Sequence, residues 1–139
     1  MPKVFRVMKS DEVHSDRPNL GVTSCCLLVR PNDVNLDAAQ MHGPGDGGLS
    51  VNSSLEAISP SLMPPQYASI VEGAAGRRTH RVWTMGRGAF ASGPFAASLE
   101  LSCHDLEYGV VEPDSKMVHS TFLRALADTQ MEWKIVDTL

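Results

Sequence analysis

With 139 residues, 42% hydrophobic and 20% charged, the chain has the size and composition of one globular domain with a core of its own, which argues against a disordered polyelectrolyte. A formal net charge of −4 gives no overall nucleic-acid footprint, and no apolar run reaches the roughly 20 residues of a bilayer-spanning helix. The start, Met1-Pro2-Lys3-Val4-Phe5-Arg6, lacks the apolar stretch of a secretory signal, so a cytosolic residence is expected; three cysteines, two of them the neighbours Cys25 and Cys26, read as free thiols rather than a disulfide framework.

In chain order, Val4 to Met8 is a β-rich run behind Pro2 and predicts a strand. With Phe5 and Val7 toward a core, Arg6 faces the other side, either as a solvated edge residue or as an anion clamp. Residues 22–29 read as a more buried strand that stops at Arg30-Pro31, followed by a polar loop to Gln40. Gly43-Pro44-Gly45-Asp46-Gly47-Gly48 then places four of the chain's eleven glycines within six residues. Such a backbone turns sharply and admits close approach. Leu49-Ser50-Val51 alternates as a strand does, turning Ser50 away from its apolar neighbours and making it a candidate wall of a site.

Ser53-Ser54 before Leu55 to Ile58 predicts a capped helical turn cut off by Pro60, and Pro64-Pro65 bars a long helix beyond it. Arg77, Arg78, Arg81 and Arg87 fall within residues 77 to 87 with no acid among them, a cluster suited to phosphate or an acidic partner, or to plain solvation. Val82 to Met85 predicts a strand, and Gly86 to Phe95 a glycine-interrupted loop whose phenylalanines plug a core. Leu99 to Ser102 alternates with Glu100 on its polar face, and Tyr108 to Glu112, closed by Pro113, is a further strand. Val118, Phe122, Leu123 and Leu126 recur at helical spacing, with Ser115 or Ser120 as the cap and an end near Asp128-Thr129. About five or six short strands with few helices, and no βαβ rhythm, predict a single compact α+β domain over residues 1–139.

Local motifs add little chemistry by themselves. Gly43, Gly45 and Gly48 formally satisfy a dinucleotide fingerprint, but a polar loop precedes them and a strand follows, the reverse of what that motif requires. Cys103-His104 and the Cys25-Cys26 pair lack metal-ligand spacing, so no metal is expected, and the five histidines are scattered without a nucleophile signature.

The succession Phe5-Arg6-Val7, Leu28-Val29-Arg30-Pro31, Gly47-Gly48-Leu49-Ser50-Val51, Val110-Val111-Glu112-Pro113 with Met117, and Leu126 before Trp133 resembles a family of small toxins typified by a type VI secretion effector with an ADP-ribosyltransferase-like fold. The resemblance runs over nearly the whole chain and rests on order and spacing. It implies a split β-sheet around a cleft for nicotinamide adenine dinucleotide (NAD), which is substrate rather than resident cofactor. Arg6 and Ser50 take the places of the family's first-strand arginine and glycine-glycine-x-serine segment. Where the family tends to carry histidine, five residues before the late proline, this chain has Tyr108.

Cleaving the nicotinamide–ribose bond builds positive charge on the sugar, so a carboxylate is wanted beside it. Glu112 is the first candidate and Glu100 the second. Arg6 would hold phosphate or ribose oxygens, Ser50 would hydrogen-bond the ribose or orient the carboxylate, the N–H groups of Gly47 and Gly48 would add anion contacts, and Tyr108 or Trp83 would stack on a ring. The expectation is a toxin-type enzyme performing ADP-ribosyl transfer or NAD hydrolysis. It would be cytoplasmic in its producer, deliverable by a specialised secretion system without a signal peptide, and met by a neutralising immunity protein or antitoxin. No membrane or nucleic-acid partner is expected. The alternatives are a non-catalytic relative that binds a nucleotide or a protein, and an interaction module built on the arginine-rich loop.

Overall fold

The structure is a computed structural model that describes residues 1–11, 13–20 and 39–137. The strand expected over 22–29 and the Cys25-Cys26 pair lie outside the described residues. Strands β1 (Val4–Lys9), β2 (Met41–His42), β3 (Leu49–Asn52), β4 (His80–Met85), β5 (Gly93–Ala96), β6 (Leu99–Cys103), β7 (Tyr108–Pro113), β8 (Met117–Val118) and β9 (Lys134–Ile135) accompany one α-helix, α1 (His119–Asp128). Seven strands form an antiparallel sheet in the order β5-β6-β7-β3-β1-β4-β9, and β2 pairs with β8 separately. The result is one small, mostly stranded α+β domain. Its described part holds more strands than the five or six expected, because the two-residue pieces are too short to show a period of two.

Alternation decides which faces are buried. Val4 and Met8 on β1, Leu49 and Val51 on β3, Leu99 and Leu101 on β6 and Val111 on β7 share the face covered by α1. Phe122 and Leu126, one turn apart on the helix, pack there with Trp83 and Trp133. On the opposite face Phe5, Val7 and Val82 are covered by Ile58, Met63, Tyr67 and Val71, which arrive on the turns after β3. That cover lies over β1 and β4. The β3-β7-β6 part of the same face carries Ser50, Tyr108, Glu112 and Glu100 instead.

The helix occupies its expected place, but neither Ser115 nor Ser120 caps it. Val118 is its N-cap and no side chain caps the end; the N–H of His119 goes to the Gln40 carbonyl at 2.9 Å because β8 runs straight into the helix. The helical turn expected after Ser53-Ser54 is an irregular turn, although Ser54 Oγ does accept from the Ala57 N–H at 3.2 Å. Gly93 to Ala96, expected as loop, is an edge strand, where Pro94 and its missing N–H are tolerated.

Candidate functional site

The central seam of the sheet is where β1 meets β3. The register there is the single pair Phe5↔Asn52, whereas β1 and β4 pair over six residues. Arg6 occupies the seam. By alternation its side chain leaves on the helix-covered face with Val4 and Met8, and its guanidinium donates through Nη1 to the Ser50 carbonyl at 2.6 Å, a charge-assisted bond across the place where ladder rungs thin out.

Ser50 and Tyr108 project to the opposite face, and their hydroxyls lie 3.1 Å apart. Their strands bring them together, since Ser50 opposes Val110 and Tyr108 is the next residue of β7 on the same side. The His104 ring stands edge-on to Tyr108, centroids 5.3 Å apart. Glu112, two residues beyond Val110 on that side, is 7% exposed, and its Oε2 accepts the Gly45 N–H at 3.0 Å. A buried carboxylate thus holds the tip of the glycine-rich loop. Gly45 and Gly47 both need φ near +87°, which no other residue adopts cheaply, and Asp46 Oδ2 takes the Gly43 N–H at 2.9 Å to close the turn. Gly48 lies so close to the Val111 main chain that a Cβ would collide with the Val111 oxygen.

Of the remaining expected residues, Trp83 is fully buried in the helix-side core and donates its indole N–H to the Met8 carbonyl at 3.0 Å. Glu100 is the register partner of Glu112 on β6. The loop group that meets the carboxylate is the Gly45 N–H; Gly47 contributes its carbonyl instead, to a histidine.

That histidine, His42, was not legible as a site residue. It is completely buried; its Nε2 is 2.6 Å from the Gly47 carbonyl and its Nδ1 is 3.1 Å from Nδ1 of His119. A carbonyl only accepts, so Nε2 of His42 carries the proton, and Nδ1 of a neutral His42 must accept from His119. The Phe122 ring stands edge-on to His42 at 4.5 Å. Burial first, and then the neighbouring His42, lower the His119 pKa from its ordinary value. The glycine loop is therefore gripped from two sides, by Glu112 and by the histidine pair. The sequence signal for this pair is only two histidines beside elements that pair with each other, β2 and β8.

Among the described residues no three of His, Cys, Asp and Glu come together at metal-ligand spacing, and no helix is long and apolar enough to cross a membrane. Compared with known proteins, the chain matches no family model, and no curated protein or solved structure is significantly similar to it.

Proposed function

We propose that the chain is a toxin-type enzyme of ADP-ribosyltransferase-like fold that takes NAD as substrate, for ADP-ribosyl transfer or hydrolysis. The observation that carries the reading is the polar strip Ser50–Tyr108–Glu112, its carboxylate buried and its two hydroxyl-bearing residues half-buried, bordered by a glycine loop that Glu112 itself holds. In this reading the carboxylate stabilises the ribosyl cation as nicotinamide departs, and Ser50 and Tyr108 hydrogen-bond the ribose. Arg6 leaves the sheet on the opposite, helix-covered face from this strip, so in this reading it positions Ser50 through that strand's carbonyl and does not itself meet the dinucleotide.

The test pairs calorimetric titration of NAD with chromatographic detection of released nicotinamide. Arg6→Ala removes the bond that steadies the Ser50 main chain and should lower folding stability by about 1.5–3 kcal/mol, the range of hydrogen bonds to charged groups. Glu112→Gln keeps an oxygen that can accept from Gly45, so the loop and NAD binding should persist while turnover falls by about 10²-fold or more. Unchanged turnover in that variant refutes the catalytic assignment. Expression of the wild type without a neutralising partner should slow growth, and Glu112→Gln should relieve it.

A second reading is favoured by one feature: Ser50 and Glu112 already have partners inside the protein, as in a fold retained for binding alone. That non-catalytic nucleotide- or protein-binding module predicts no nicotinamide release at any enzyme concentration.

A further inference from the structure

The sheet ends at β9, and one end of that strand is closed while its middle is open. Val136 turns both of its main-chain groups inward: its N–H donates to the Val82 carbonyl at 2.8 Å and its carbonyl accepts the Tyr67 hydroxyl at 2.7 Å. Main-chain groups alternate sides along a strand, so the N–H and C=O of Ile135, whose register partner is Trp83, point to the outer edge. Among the described residues nothing pairs with that edge. The Ile135 side chain is 38% exposed.

An open groove of about 370 Å³ runs beside this strand, with Gln66, Arg78, Arg81, Ile135 and Asp137 among its lining residues. Its charge is mostly of one sign. Arg78 and Arg81 are exposed, and residues 77–87 contain four arginines and no acid. The field is felt locally, since after burial it is Arg77 and Lys9 that depress the His80 pKa. The loop is also held in place: Gln66 Nε2 donates to the Arg78 and His80 carbonyls at 3.2 and 2.9 Å, and Arg81 Nη1 reaches the same two carbonyls at 3.3 Å. Asp137 is the one acid in the lining and asks for a neutral or basic residue opposite it.

We propose that the open edge of β9 and this groove dock an extended acidic segment of a partner protein, which adds as a further strand on Ile135 and lays carboxylates against Arg78 and Arg81. Main-chain pairing at a sheet edge supplies affinity, and side-chain charge supplies selectivity. This surface is separate from the strip around Ser50 and Glu112, so it stands whether or not the protein turns over NAD.

The experiment titrates the ¹⁵N-labelled full chain with an end-blocked octapeptide of alternating Glu and Val, with its Lys–Val counterpart, and with inorganic phosphate. The acidic peptide should move the Ile135 amide and the Arg78 and Arg81 side-chain signals, and its binding should weaken as salt is raised. Arg78→Glu with Arg81→Glu, both at exposed positions, exchanges two attractions for two repulsions and should weaken binding by about tenfold or more. Ile135→Pro removes an N–H that makes no bond to β4, so it should lower affinity with the Val82 amide signal unmoved. Equal binding of the basic peptide overturns the proposal. So does an Ile135 amide that stays still at millimolar peptide, and phosphate reproducing every shift would make the groove a free-anion site instead.

Discussion

Tyr67 offers the sharpest test of how this sheet is held, because its hydroxyl replaces a rung of the ladder between β4 and β9. The Val82 N–H donates to the hydroxyl at 3.2 Å, and the hydroxyl donates to the Val136 carbonyl at 2.7 Å. Tyr67→Phe keeps the ring and removes both bonds, and it strands the N–H of Val82, a fully buried residue. A buried unsatisfied group costs about 1–3 kcal/mol, and the Val136 carbonyl loses its donor as well. The sum is a destabilisation of about 2–3 kcal/mol. Urea unfolding followed by tryptophan fluorescence measures it, since Trp83 and Trp133 are both buried and will redden on exposure. The midpoint should fall with the slope unchanged, and the Val82 amide should lose hydrogen-exchange protection. A loss under about 0.5 kcal/mol would mean that the ladder closes directly once the hydroxyl is gone, and the argument would fail. The same residue sets an alkaline limit. Burial raises its pKa, so the unfolded chain ionises first, and the stability it contributes, complete below pH about 10, is lost as pH rises through the folded value; Tyr67→Phe should abolish that dependence.

His119 has its pKa lowered, so the stabilisation it contributes is present above about pH 6.5 and drains away as pH falls through the folded value; proton NMR titration should find His119 below the ordinary histidine value, and His119→Gln should flatten the acid limb of stability. Gly48→Ala pushes a methyl into the Val111 main chain and should cost about 1–3 kcal/mol or more by thermal unfolding, while Gly73→Ala meets open space and suffers only its positive φ. Thr129→Ala removes a bond from Trp133 Nε1 at 3.1 Å and one to the Leu126 carbonyl at 2.7 Å, and should destabilise by about 1–3 kcal/mol in the same urea assay.

How far the chain could be read without coordinates follows from what each element rests on. β1, β3, β4, β6 and β7 were legible because one face of each is apolar and a proline, glycine or polar loop bounds it. β5 was not, since Gly93-Pro94 reads as a turn, and only its place at the sheet edge lets it pair. The helix was legible from Phe122 and Leu126, its start was not, because a carbonyl from Gln40 does the work a serine was expected to do. Ser50, Tyr108 and Glu112 could be named from alternation on their own strands. The loop's hold on Glu112 through Gly45, and the His42–His119 contact, join residues far apart in sequence and have no local signature.

The seven-stranded sheet draws its β1-β4-β9 half from three separated stretches of chain, with β4 lying between strands from either side of it in sequence. Met1 adds a contact just past the end of β4, its carbonyl accepting the N–H groups of Arg87 and Gly88 at 3.0 and 2.7 Å. Each of these pairings must close a long loop before it returns any energy, whereas the β5-β6-β7 meander closes only short ones. The meander is thus the natural place for folding to begin, and the β4–β9 edge, a short pairing completed by a tyrosine hydroxyl, is the natural place for it to finish. A folding pulse sampled by hydrogen exchange should protect the Leu101 and Val111 amides before that of Val82, so the surface that offers itself to an acidic strand is the last part of the sheet to exist.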